Sequence, residues 1–401
     1  MHQAKTASVK INWIRKVYDC AGFSGFIVMS SESLINRSSD PLEIVQLCHG
    51  KLSPSFSSAY SLRCNDITAG LRRHMFSLHG PALAGVFTPE LSQYRANFLV
   101  ISSFIHGNRS FEIFLSQRRY MPRKYVKNVN ENVKRAKSVM LEGPWQFDIV
   151  RKYVGNKPLI YDAHNFESQL RAGNRYYDYV RKLEEEVCRS VDLVIAVTDK
   201  DRTGILEQYD ISKDKIILIT IVPNIREVAW NGLNSRSLIF IGSLYEGNIS
   251  AYREIEKLAL ELKEFTFYII GSICNLPTRK RISNVKCLGI VSEEEKDRLL
   301  ASSMLALNPI LLGSGRNVKM VDYLGHGVPS ISTPLGVRGF EKYDISKASK
   351  VTDTQNFASS IRLLVQDPDL LLKMSAAGKE IYSKIKLENS TSFREIHERL
   401  V

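Results

Sequence analysis

Residues 311 to 340 read LLGSGRNVKMVDYLGHGVPSISTPLGVRGF, and this stretch decides the architecture. It divides into a Gly-Ser-Gly turn, a short helix, and a strand bounded by Gly327-Val328-Pro329 and Thr333-Pro334. Gly313 and Gly315, on either side of Ser314, let the backbone turn tightly and approach a ligand with no Cβ in the way. The helix that follows aims its free N–H groups back at that turn, where an anion such as a diphosphate is favoured. Arg316 and Lys319 add formal positive charge beside it, with Asn317 between them and Asp322 one turn beyond Lys319. Gly325 and Gly327 stop the helix, and Val328 to Thr333 resumes as a buried strand. The physical pattern alone fits an ordinary strand–turn–helix–strand unit with solvated charges equally well.

The flanks repeat the alternation. Ser237 to Ile241 reads as a strand running into Gly242-Ser243-Leu244-Tyr245-Glu246-Gly247-Asn248. A helix (Ala251 to Leu262), strands at Thr266 to Ile270 and Val285 to Leu288, a helix opening on the capping box Ser292/Glu295, and a strand (Met304 to Asn308) follow. After the opening stretch come helices at Phe357 to Val365, Pro368 to Ile385 and Ser392 to Leu400. Upstream, Pro158 to Ala163 is a buried strand ending in the polar cluster His164-Asn165-Phe166-Glu167. Polar groups at the carboxyl end of a parallel strand sit where open α/β sheets bind ligands. A helix (Arg175 to Ser190), a strand (Val191 to Thr198), a helix (Asp199 to Gln208) and a strand (Ile216 to Ile221) lead into Val222-Pro223-Asn224. Alternation of this kind implies doubly wound parallel sheets.

The first third of the chain is less regular. Residues 5–20 read as an amphipathic helix and Phe26 to Met29 as a strand, and residues 31–80 give weak signals. Strands are expected at Val86-Phe87 and Phe98 to Ser102, around a helix from Pro89 to Ala96. Helix is expected from about Val126, then a strand from Ser138 to Leu141 that ends in Glu142-Gly143-Pro144-Trp145, with Trp145 in the core.

At 401 residues, 44% hydrophobic and 24% charged, the chain suits two globular α/β domains. No apolar run is long enough to span a bilayer, and Met1 to Lys10 lacks a signal-peptide core, so a cytoplasmic protein is expected. The six cysteines are scattered without a Cys-x-x-Cys pair and read as buried free thiols, with neither zinc nor disulfides indicated. The remaining histidines lack ligand spacing, and His326 is expected as a helix-end cation or exposed side chain. The net charge of +13 is concentrated between Arg118 and Lys137, where eight basic residues face the single acid Glu131. With Tyr120, Met121, Tyr125 and Val126 interleaved, that segment suits an anionic membrane surface. No nucleic-acid motif accompanies it, so no nucleic-acid partner is expected.

Four motifs in order, His164-Asn165, Pro223-Asn224, Gly242-Ser243 and Gly313 to Gly339, together resemble glycosyltransferase family 4, over Pro158 to Phe340. The resemblance implies a GT-B fold: two Rossmann-like doubly wound parallel-sheet domains facing across a cleft. Residues 1–223 would form the acceptor domain and 224–385 the nucleotide-sugar domain, hinged at Pro223-Asn224, with a final helix over 386–401 packing back on the first. It implies a retaining, metal-independent glycosyltransferase with no cofactor beyond its nucleotide-sugar substrate. The acceptor would be a glycan or lipid-linked species of polysaccharide or glycoconjugate synthesis, met on the cytoplasmic face of a membrane. By the same resemblance His164 is the active-site histidine, expected as a neutral imidazole. Arg316 and Lys319 neutralise the leaving diphosphate. Gly242, Ser243, Ser314, Gly315, Asn317 and Asp322 line the donor site, with Asp322 on the ribose hydroxyls.

The chain departs from the family pattern in three places. The family's first strand and glycine loop are not found, so either the start is truncated or misassigned or the N-terminal domain is abbreviated. Ser314 stands where the first acid of the paired-acid motif is expected, and the basic pair that often follows Gly242-Ser243 is absent. These departures leave a second expectation open, a GT-B protein that binds a nucleotide sugar or a partner without efficient turnover.

Overall fold

The computed structural model describes residues 44–48, 59–75, 84–85, 112–113, 116–118, 121, 123–223, 225, 228–313 and 316–400. The expected helices over 5–20 and Pro89 to Ala96, the strands at Phe26 to Met29, Val86-Phe87 and Phe98 to Ser102, and Asn224, Ser314 and Gly315 lie outside the described residues. The chain divides into two compact units: Met1–His49 with Pro81–Leu141 and Trp145–Lys157, and Gly50–Gly80 with Glu142–Pro144 and Pro158–Val401. No helix among the described residues is long and apolar enough to cross a membrane.

In chain order the first elements are strand β1 (Ile44–Cys48), helix α1 (Ala59–Met75), strand β2 (Ala84–Gly85), helix α2 (Arg123–Arg135) and strand β3 (Ser138–Glu142). In the first unit β1 pairs in parallel with β2. Tyr125, Val129 and Val133 recur every four residues on α2 and are fully buried, as Met121 and Trp145 nearly are. Lys127 and Lys134 face solvent. Tyr125 shares the helical face of two valines and so joins the core instead of lying among the exposed basic side chains. The patch keeps its charge and loses that aromatic anchor. Lys157 Nζ donates to the carbonyls of Val133 (2.6 Å) and Lys134 (2.7 Å) and so caps α2.

The second unit continues with β4 (Leu159–Ala163), α3 (Tyr177–Ser190), β5 (Leu193–Ala196), α4 (Asp199–Tyr209) and β6 (Ile216–Leu218). Strands β4, β5 and β6 pair in parallel in that order. Then come β7 (Ser237–Ile241), α5 (Glu246–Glu261), β8 (Thr266–Ile270), β9 (Val285–Gly289), α6 (Glu293–Ser302) and β10 (Leu305–Asn308). The chain closes with α7 (Val318–His326), β11 (Ser330–Ser332), β12 (Ser349–Val351), α8 (Phe357–Leu364) and α9 (Pro368–Leu400).

Strands β7 to β12 form one parallel sheet in the order β12-β11-β10-β7-β8-β9. Along β7 the residues alternate between faces. Leu238 and Phe240 pack with Tyr252, Ile255, Phe267 and Phe357 on one side. Ile239 and Ile241 pack with Met320, Tyr323, Phe340 and Ile381 on the other. Helices therefore cover both faces, which is why β7, β8 and β10 are largely apolar.

Two boundaries differ from expectation. Helix α5 starts at Glu246, not Ala251, so Glu246, Gly247 and Asn248 form its first turn. Gly247 permits this: a Cβ there would lie 2.4 Å from the Leu312 carbonyl oxygen. The last two expected helices are one, α9, because residues 386–391 contain polar side chains but neither Gly nor Pro to stop it. Its far end packs on α1, with Gly70 against the Phe393 ring. It also bonds to the chain after β6: Asn389 Oδ1 accepts from Thr220 N (3.0 Å) and Ser392 Oγ donates to Leu218 O (2.8 Å).

Candidate functional site

The strand order of the second sheet reverses between β7 and β10. Strands β8 and β9 extend from β7 on one side, and β10, β11 and β12 lie on the other. Loops leaving the carboxyl ends of two strands that part in this way form the crevice where open α/β sheets bind ligands. Here those loops carry Gly242-Ser243 after β7 and Gly313 to Asn317 after β10.

Lys319, in the first turn of α7, is 9% exposed. Its Nζ donates to Asn248 Oδ1 (2.7 Å) and sits 4.2 Å above the centre of the Phe240 ring. Asn248 Nδ2 in turn donates to the carbonyl (2.9 Å) and hydroxyl (3.2 Å) of Ser243. Asn248 thus joins the two loops, and the sequence reading had passed over it as a lost basic residue. No carboxylate pairs with Lys319 among the described residues, and burial alone pushes its pKa down to about 7.

Arg316 is the second cation. Its Nη1 donates to Thr220 Oγ1 (2.5 Å), and the guanidinium stacks 4.0 Å over Phe340. Its Nε and Nη2 are buried, with the Tyr343 side chain as a further polar neighbour of the guanidinium. Burial also lowers its pKa. Gly339 (φ 87°) makes room for the aliphatic stem of Arg316, since a Cβ there would lie 3.0 Å from its Cγ.

Other expected donor residues are engaged elsewhere. Asn317 Nδ2 donates to the carbonyl of Gly336 (3.1 Å), tying the turn to the loop after β11. Gly242 bonds through both backbone groups, to Ile270 O and from Ile273 N, whereas Ser243 is exposed. Asp322 is 3% exposed, and its Oδ1 accepts from Lys296 Nζ on α6 (3.0 Å). His326, expected at the surface, is fully buried. Its ring nitrogens lie 2.8 Å from Asp322 O and 3.0 Å from Asp297 Oδ1. The reason is geometric: α6 packs on this face of α7, and its own Lys296 and Asp297 supply the partners.

A second cluster forms at the carboxyl end of β4. His164 Nε2 lies 2.6 Å from Glu142 Oε2 and 3.3 Å from Asp162 Oδ2, with Cys64 Sγ 3.9 Å away. Asp162 is held by Arg63, through Nη2–Oδ1 at 2.5 Å and Nε–Oδ2 at 3.0 Å. Arg63 Nη1 also donates to Ile219 O (2.5 Å), and both members of the pair are buried. Burial opposes charge on Asp162 and on His164. The Arg63 guanidinium overcomes it for Asp162, whose pKa falls below the usual carboxylate range. The Asp162 carboxylate overcomes it for His164, whose pKa rises well above normal. Asp162 therefore favours the charged, donating form of His164 over the neutral imidazole expected from sequence. Glu167 Oε2 is bonded to Arg171 within one helical turn.

Cys64, Glu142 and His164 form a group whose potential ligand atoms all lie within 4.8 Å of one another. Two ligands about 2.0 Å from a tetrahedral ion stand roughly 3.3 Å apart. The 2.6 Å between His164 and Glu142 is instead the length of a charge-assisted hydrogen bond. The pair fits a shared proton better than a shared metal ion. Sequence reading missed Arg63, Cys64, Glu142 and Asp162. The first two lie in the stretch without periodic signal. Glu142 had one cue, a polar residue ending a buried strand as His164 does.

Residues 235–367 match the family model described as glycosyl transferases group 1. Anabaena Alr3699/HepE, solved with UDP-glucose, superposes with a TM-score of 0.63 at 13% identity over 90% of this chain and 100% of that one. The fold is GT-B. Sucrose-phosphate synthase from Thermosynechococcus elongatus gives the same TM-score, 0.63, at 10% identity over 90% of this chain and 99% of its own. A mutant of S. aureus TarM, in complex with Fondaparinux, alpha-GlcNAc-glycerol and UDP, gives 0.53 at 15% identity over 69% of this chain. The match spans 58% of that TarM chain. No match is found among curated proteins. The family match covers residues 235–367, and these likenesses show the fold.

Proposed function

We propose that the protein is a retaining, metal-independent glycosyltransferase that moves a sugar from a nucleoside diphosphate to a glycan or lipid-linked acceptor. The observation that carries this is Lys319, a buried cation without a carboxylate at the switch point of the second sheet. Such a group is disfavoured in the free protein and relieved when an anion arrives. Breaking the C1–O bond puts charge on the leaving diphosphate. Lys319, the Arg316 guanidinium, Ser243 and the N–H groups at the start of α7 are suited to receive it. Residues 224–385 would hold the donor and residues 1–223 the acceptor, with His164 donating to the transferred sugar. HepE crystallised with UDP-glucose and TarM with UDP support a nucleotide sugar as the donor class.

Asp322 favours a second reading, a GT-B protein that binds its ligand with little turnover. Its carboxylate is already taken by Lys296, and Ser314 replaces the other expected acid. A thermal-shift screen of UDP-, GDP- and ADP-sugars, followed by assay of nucleotide release with glycan and lipid acceptors, separates the two. Stabilisation with release supports transfer. Stabilisation without release supports binding alone, and no stabilisation by any donor removes both.

A further inference from the structure

Two cysteines outside the site described above lie together at the edge of the second sheet. Cys287 is on β9, the edge strand, opposite Ile269 of β8. Cys274 follows β8 in a single turn of helix, Ser272–Asn275, and its Sγ lies 3.3 Å from the carbonyl oxygen of that same Ile269. Both side chains belong to one apolar cluster on that face of the sheet, Cys274 inside it and Cys287 packed against it. Cys274 is buried and Cys287 partly buried. The Cys287 sulfur has Tyr252 OH at 3.7 Å, and the positive charge of Arg279 acts on it as well. These donors, led by the Cys274 thiol, lower the Cys287 pKa to about 6, while the same contact, with burial, pushes Cys274 up. Cys287 is thus the sulfur that favours the thiolate, and Cys274 the one that keeps its proton.

The turn that carries Cys274 also braces the loop after β7. Ile273 N donates to Gly242 O (3.1 Å), and Ser272 Oγ accepts from Leu244 N (2.9 Å). Gly271 fits so closely that a Cβ would lie 2.2 Å from the Gly242 oxygen. Movement of this turn is therefore passed to Gly242-Ser243.

We propose that Cys287 and Cys274 form a redox-active dithiol that closes to a disulfide and shifts the turn bracing Gly242 to Leu244, changing nucleotide binding. The co-reactant is a small-molecule disulfide such as oxidised glutathione. The Cys287 thiolate attacks one of its sulfurs and expels a thiolate, leaving a mixed disulfide. Cys274 then loses its proton to that thiolate or to solvent, attacks the Cys287 sulfur and expels the second thiolate. Two protein thiols are oxidised by two electrons and two molecules of thiol are formed. The effect on nucleotide binding rests on the functional reading above; formation of the disulfide does not.

The test treats the full chain with oxidised glutathione at pH 7.5 and follows intact mass and non-reducing peptide maps. The wild type is expected to lose two hydrogens and yield one peptide pair linking Cys274 and Cys287. Cys274→Ser should stop at the glutathione adduct on Cys287, and Cys287→Ser should give neither product. A wild type that remains unmodified, or accumulates the adduct without closing, overturns the proposal. The oxidised protein is then expected to bind UDP about tenfold more weakly, reversed by dithiothreitol. Equal affinity of both forms refutes the coupling to the 242–244 loop. Failure of the reduced form to bind any nucleotide counts against the glycosyltransferase reading, while the mass result still decides the dithiol.

Discussion

Replacing Lys319 with Met keeps the length of the side chain and removes the charge. Burial moves the pKa of this lysine from 10.5 to about 7, and each unit is worth about 1.4 kcal/mol. Below pH 7 the folded protein therefore carries a buried ammonium that costs roughly 3–5 kcal/mol relative to an exposed one. Between pH 7 and 10.5 the unfolded chain keeps a proton the folded chain has shed, so this group makes stability rise with pH across that window. Above both values the penalty is gone. Lys319→Met should thus be more stable than wild type at pH 6 by a few kcal/mol, an advantage that shrinks toward pH 10.5. Urea unfolding at several pH values measures it.

Ligand binding should move the opposite way. A diphosphate restores the charged amine, so binding above pH 7 takes up a proton and weakens as pH rises. A hydrogen bond to a charged group is worth about 1.5–3 kcal/mol. Loss of the amine should therefore weaken UDP binding by roughly 10- to 150-fold. Calorimetry at pH 8.5 in two buffers of different ionisation enthalpy reads both the affinity and the proton uptake. A variant that is less stable at pH 6, or that binds UDP as tightly as wild type with the same proton uptake, would refute the reasoning.

Three further outcomes follow from buried charge and backbone geometry. Asp162→Ala leaves the Arg63 guanidinium buried without its carboxylate, and urea midpoints should show a loss of about 3–5 kcal/mol, eased by adding Arg63→Met. His164 should still titrate as an imidazolium at pH 7.5 by NMR. Its folded pKa is raised, so the stability it contributes is full below about pH 6.5 and lost as pH passes through the folded value; a ring that is neutral at pH 7.5 would contradict the Asp162 contact. Gly271→Ala adds a Cβ at φ 103°, 2.2 Å from the Gly242 oxygen. It should lower stability by at least about 2 kcal/mol and weaken UDP binding, both visible in a thermal-shift titration.

Much of the frame could be read from local pattern. Strands β7 and β8 fall where the apolar runs place them, and Gly327 ends α7 in the left-handed conformation (φ 66°), as the Gly-x-Gly pattern implies. Ser292 caps α6, its side chain accepting from Glu295 N. These features depend on residues close in sequence, whose backbone preferences and period are properties of the segment itself. The start of α5 was missed because Gly247 looks like a breaker. Its purpose is contact with Leu312, sixty-five residues away.

What the sequence by itself determined is the order of strands and helices, the glycine turn, and the placing of Arg316 and Lys319 beside it. What only the tertiary structure decided is the charge state and partner of each polar side chain. Among the described residues Lys319 has no carboxylate partner, Asp322 has Lys296, and Asp162, fixed by Arg63 from helix α1, favours the charged form of His164. Those outcomes depend on desolvation and on charges brought together from distant segments. Neither quantity exists in a chain until it has folded.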